Sequence, residues 1–115
     1  MLRRAGVLEA ILDSASQCIL AVGSDGRIRA ANQRTLHTLG YKPHELQDKI
    51  VEILVPEQQR KGHREKRRAY FAAPRVRPIG EGLELKALRK DGTTIPVEIS
   101  LSYVGSGKDM LAIAF

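Results

Sequence analysis

Two short polar turns, each set between alternating apolar and polar residues, constrain this chain more than any other feature. In the first, Cys18–Val22 is a short apolar run, Ser24-Asp25-Gly26 supplies a turn, and Arg27–Ala31 alternates around Ile28. In the second, Leu83, Leu85 and Ala87 alternate with Glu84, Lys86 and Leu88 ahead of Asp91-Gly92. Val97, Ile99, Leu101 and Tyr103 then alternate with Glu98, Ser100 and Ser102. A further turn, "GSGKD", leads into a last strand, "MLAIAF". Period-two alternation cannot be read as helix, because it would scatter the apolar residues around the cylinder. The chain therefore predicts five strands, joined by turns short enough to make them antiparallel.

Between the two hairpins the period changes. Asn32 is set to cap a helix through Leu36 and Leu39 that stops at Gly40. Pro43 suits the first turn of a very short helix, "KPHEL". Lys49–Ala73 is the longest helical candidate, divided by Pro56. Ahead of the first hairpin, Leu8, Ile11, Leu12 and Ala15 form one stripe of an amphipathic helix. The expected organisation is an N-terminal flanking helix, residues 1–16, and one domain, residues 17–115. Five antiparallel strands with helices inserted after the second predict an α+β domain, its short helices on one face of the sheet.

A chain of 115 residues can bury one core without staples, and with no Trp, three Tyr and two Phe that core must be aliphatic. No apolar run approaches the roughly 20 residues of a membrane helix. Arg3 and Arg4 open the chain, but Glu9 and Asp13 interrupt the apolar residues after them, so no signal peptide is expected. Cys18 is alone, which excludes an intrachain disulfide and predicts a reducing, cytoplasmic setting. The net charge of +6 is uneven: residues 60–90 carry eleven Lys or Arg against three acids, and the remainder is slightly acidic. The densest part is "RKGHREKRR", residues 60–68, with His63 at its centre.

Nothing points to catalysis. The serines stand outside any nucleophile motif, and His37, His44 and His63 lack metal-ligand spacing. Neither "GSDG" nor "GSGKD" has the spacing of a phosphate loop. Nucleic-acid binding is also disfavoured. Tyr70 and Phe71 are adjacent, hence on different helix faces, and no recognition helix is evident. An acidic partner surface suits residues 60–68 better.

Three stretches, "ILAVGSDGRIRAANQRTLHTLGYKPHEL", "ILVPEQQRKGHREKRRAY" and "LKALRKDGTTIPVEISLSYV", resemble the PAS sensory family in the family's order. The chain departs from it at Asp48, where many members carry Gly. The resemblance implies strand order 2-1-5-4-3. It also implies a non-catalytic sensory and dimerisation module of a signalling protein such as a two-component sensor histidine kinase. Such a module couples a small ligand or partner to an output domain.

The resemblance also places candidate sites. A ligand pocket is expected between the sheet and the central helices, walled by Ala31, Leu36, Leu39, Ile53, Leu54, His63, Leu83, Leu85, Val97, Ile99 and Ile113, unless those side chains simply fill the core. A homodimer is expected through Leu8, Ile11, Leu12 and Ala15, with packing of that stripe on its own sheet as the alternative. In haem-binding members the proximal histidine follows a stretch like "PEQQRKGH", so haem with His63 as iron ligand stands as an alternative reading. Against it, the positions of the distal residues fall near Glu81 and Leu83, and a buried, unpartnered Glu81 would be costly. Flavin is disfavoured, because the reactive-cysteine motif is missing and Cys18 lies on the first strand.

Overall fold

The structure is a computed structural model that describes residue 14 and residues 16–76 and 85–115. The stripe of Leu8, Ile11, Leu12 and Ala15 and the pocket candidate Leu83 lie outside the described residues. Strand β1 (Leu20–Gly23) pairs antiparallel with β2 (Ile28–Ala31) across the expected turn, where Gly26 has φ +82° and its N–H donates to the Gly23 carbonyl at 2.9 Å. Only glycine takes that backbone conformation without cost.

Helix α1 (Gln33–Leu39) starts and stops where expected. Asn32 Oδ1 accepts from the Thr35 N–H at 3.1 Å, and Gly40 closes the helix at φ 81° with its N–H bonded to the Leu36 carbonyl. Helix α2 (Pro43–Leu46) has Pro43 in its first turn, and Glu45 Oε1 accepts from the Lys42 N–H at 2.8 Å. Pro56 divides the next segment. Before it lies a 3₁₀ turn, Val51–Leu54; after it come a second, Glu57–Gln59, and helix α3 (Arg60–Ala72).

The sheet departs from expectation in one respect. A single five-stranded sheet is predicted; the chain forms a four-stranded sheet, β2-β1-β6-β5, and a separate two-stranded one, β3-β4. The run expected as one long strand serves two partners in turn. Its first part, β4 (Thr94–Val97), pairs with β3 (Leu85–Leu88) across the Asp91-Gly92 turn. Its second part, β5 (Leu101–Val104), pairs with β6 (Leu111–Ala114). The two parts meet different partners: Leu85↔Val97 and Leu88↔Thr94 close the first pair, and Leu101↔Ala114 and Val104↔Leu111 the second. The four-stranded sheet keeps the 2-1-5-4 part of the expected order, with β5 as the fourth strand, and the expected pairing of strands 4 and 3 is that of β4 with β3.

The core is aliphatic. Val22, Ile28, Leu36, Leu39, Leu46, Val51 and Leu54 form one buried cluster, with Leu20, Ala31, Tyr41, Ile53, Ala87 and Ile95 packed against it. Strands β1 and β2, helices α1 and α2 and the first 3₁₀ turn thus close on one another. Helix α3 contributes no fully buried residue. None of the described helices is long and apolar enough to cross a membrane.

Candidate functional site

The way α3 attaches to this core sets the site. Its half-buried positions are Arg60, His63, Arg67, Tyr70 and Phe71, a stripe at helical spacing whose first four members are polar or charged. What they face is Glu52, only 2% exposed, in the middle of the apolar 3₁₀ turn. A carboxylate survives there only if paired, because an isolated charge out of water costs many kcal/mol. Arg67 supplies the pairing as a two-pronged fork: Nε donates to Glu52 Oε2 at 3.0 Å and Nη2 to Oε1 at 2.9 Å. His63 Nδ1 lies 2.6 Å from Oε2. An ionised carboxylate can only accept, so Nδ1 carries the proton. Arg60 adds a bond from Nε to the Val55 carbonyl at 3.0 Å.

Burial pushes the Glu52 carboxyl up, but the bonds from Arg67 and then His63, together with their charges, outweigh it. The group is held below the ordinary carboxylate range and is ionised at neutral pH. The fit is tight on the far side as well. A Cβ added at Gly26 would lie 2.3 Å from Arg67 Cζ, so the guanidinium rests directly on the β1–β2 turn. Helix α3 is thereby clasped between that turn and the 3₁₀ segment by charge and hydrogen bonds.

The basic stretch is divided: Arg60 and Arg67 are half-buried on the inner face, and Arg64 and Arg68 are exposed. The last two border an open cleft of about 400 Å³ with Ser24, Asp25, Ile50 and Arg67. A second cleft, about 270 Å³, is lined by Leu39, Gly40, Arg89, Lys90 and Asp91.

The predicted pocket residues fall into groups. Leu36, Leu39 and Leu54 belong to the buried cluster, and Ala31 and Ile53 pack against it. Leu85, Val97, Ile99 and Ile113 are half-buried. Of these, Leu39 lines the second cleft. His63, with its side chain 40% exposed, faces Glu52. Cys18 is part-buried, and its thiol donates to Thr38 Oγ1 at 3.6 Å.

A haem would need the free Nε2 of His63 to meet a flat apolar slot. The Nδ1–H bond to a carboxylate suits a ligating histidine. His63 lines neither of the two clefts above, and the larger of them is walled by three arginines, Ser24, Asp25 and Ile50.

Sequence reasoning passed over Glu52. Its signal was present: one acid inside the apolar run "IVEILVP" must either leave that run's buried face or find a cation, and the next helix is full of them. Asn32 was expected as a cap and does more. It is 2% exposed; Oδ1 also accepts from the Ile19 N–H at 3.0 Å and the Thr35 hydroxyl at 2.6 Å, while Nδ2 donates to the Gln17 carbonyl at 2.9 Å. It therefore ties the entry of β1 to the start of α1. Asp48 takes the left-handed conformation, φ 60°; its Oδ1 accepts from Arg29 Nη1 at 2.7 Å. Asp is among the few non-glycine residues that tolerate it.

Comparison with known proteins agrees with this architecture. A probable serine/threonine-protein kinase of Dictyostelium discoideum is 29% identical over 91 residues, 79% of this chain and 6% of that protein. The chain thus spans a small part of the curated relative it matches. Among solved structures, the PAS domain of an HTR-like protein from Haloarcula marismortui superposes with a TM-score of 0.74 at 23% identity, covering 96% of this chain and 87% of that one. A PAS domain from Desulfitobacterium hafniense gives 0.76 at 22% identity, covering 91% and 94%. One from a two-component sensor histidine kinase gives 0.72 at 13% identity, covering 95% and 90%. The family model of the PAS fold matches residues 7–115, nearly the whole chain, and the chain belongs to that family.

Proposed function

We propose that this domain is a non-catalytic sensory and interaction module of a cytoplasmic signalling protein, a sensor histidine kinase being the favoured parent. It couples the binding of a small ligand or partner to an output domain, and it acts as a homodimer. The observation that carries this reading is the polar clasp. An apolar core closes without α3, and the helix is held to it by Glu52, His63, Arg67 and Arg60. Hydrogen-bonded forks have discrete made and unmade arrangements, which a ligand can bias through unequal affinity for the two. Leu36, Leu39, Ile53 and Leu54, expected to wall the pocket, lie in or against the buried cluster that includes Val51 of the 3₁₀ turn carrying Glu52, so a ligand entering there would press on the clasp. Exposed Tyr103 and Val104 on the end strand β5 support self-association through the sheet, beside the expected stripe of Leu8, Ile11, Leu12 and Ala15.

Sedimentation across a wide concentration range, paired with relaxation-dispersion measurements on α3 amides, tests the proposal. Self-association and exchange confined to α3 and its contacts are expected. A monomer at every concentration with one unchanging conformation would count decisively against it.

A further inference from the structure

The geometry points to an oxyanion-binding cleft between α3 and the β1–β2 turn, taking a small ligand that bears a phosphate or carboxylate group. It does not rest on the signalling role proposed above. The cleft of about 400 Å³ is lined by Ser24, Asp25, Ile50, Arg64, Arg67 and Arg68. Its three cations are all arginines, whereas Lys61 and Lys66 of the same helix do not line it. Guanidinium forks match the paired oxygens of carboxylate and phosphate, which an ammonium does not.

The three arginines divide the work. Arg67 is the fixed floor: two of its N–H groups go to Glu52, which neutralises it, and it is wedged against Gly26. Arg64 and Arg68 are one helical turn apart on the rim and exposed, and among the described residues neither has a hydrogen bond or ion pair. They leave two positive charges unmatched over a concave surface. Asp25 would oppose an anion, but its oxygens are engaged, Oδ2 by Arg29 Nη2 at 2.7 Å and Oδ1 by the Arg27 N–H at 3.0 Å. Its charge is therefore met by Arg29. The cleft is larger than one oxyanion, so the ligand has a body beyond its charged group. A duplex needs an extended basic stripe; here Arg60 and His63 turn inward, and Arg64, Arg67 and Arg68 converge on one hollow.

Chemical-shift titration of the ¹⁵N-labelled protein with inorganic phosphate, and separately with succinate, at constant ionic strength tests this. Saturable shifts centred on Ser24, Asp25, Ile50, Arg64 and Arg68 are expected. The double variant Arg64→Gln/Arg68→Gln should weaken binding about tenfold or more, and Arg64→Lys/Arg68→Lys should restore only part of it, since the fork is lost while the charge stays. Both positions are exposed, so an unchanged unfolding midpoint verifies the fold. Tighter phosphate binding assigns a phosphate ligand; tighter succinate binding assigns a carboxylate. Shifts that rise without saturation, or that persist equally in the Gln variant, overturn the site. So does a DNA duplex that binds residues 60–68 while neither small anion saturates.

Discussion

Replacing Glu52 by Gln tests the clasp with almost no change of shape. The amide keeps the volume of the carboxylate, so no cavity opens. It removes the charge that accepts two bonds from Arg67 and one from His63. Arg67 is left with its side chain only 10% exposed and no counter-charge. Removing one partner of a buried ion pair costs about 3–5 kcal/mol, because the other charge remains buried. Arg67 borders an open cleft, through which water can reach part of it. The expected loss is therefore about 2–4 kcal/mol, a large share of the roughly 5–15 kcal/mol that holds a domain together. Urea unfolding followed by circular dichroism reads this directly. The partner variant, Arg67→Gln, should cost a similar amount. The double variant should cost less than the sum of the two by about 1–3 kcal/mol, because the second change removes a group already orphaned. A Glu52→Gln loss below about 1 kcal/mol, or strict additivity, would refute the reasoning.

The same contacts set further expectations. Glu52 has a lowered pKa in the folded protein, so its stabilisation is present in full above its ordinary value of 4.5 and drains away as the pH falls through the lowered one; acid unfolding of Glu52→Gln should lose that part of the pH dependence. Gly26→Ala should destabilise by more than the 1–2 kcal/mol or so of a left-handed backbone, because the new methyl must expel Arg67 from Glu52; its effect, read by thermal melting, should shrink when Glu52 is already Gln. Asn32→Ala removes a cap and orphans the part-buried Ile19 N–H, for a loss of about 2–4 kcal/mol in urea, where an effect under about 1 kcal/mol would discount the tie. Asp48→Gly should stabilise slightly, by about 0.5 kcal/mol as read by urea unfolding, since relief of the φ 60° backbone outweighs loss of an exposed ion pair with Arg29.

What could be read from the residues, and what could not, divides along the range of the interactions. Turns and caps are local: the Asp91-Gly92 and Ser24-Asp25-Gly26 turns, the Asn32 cap, the Gly40 stop and the Pro56 break each depend on a few adjacent residues, and all stand where expected. The division of the sheet does not. Alternation from Val97 to Tyr103 runs unbroken, yet its start pairs with β3 and its end with β6, a choice of partners made by segments distant in the chain. The inner face of α3 was hidden for a different reason. A stripe of Arg60, His63 and Arg67 has the composition of a solvated surface, and it turns inward only because one carboxylate fifteen residues before Arg67 waits in the core. The clasp is therefore a property of a pair of segments, which neither segment announces alone.

Amide hydrogen exchange, compared between the unmodified protein and Glu52→Gln, tests the clasp most directly. The predicted result is that protection across α3 falls by orders of magnitude, while amides of β1, β2 and α1, which belong to the closed apolar core, keep most of theirs. Equal loss throughout the domain, or an α3 as protected as before, would contradict it.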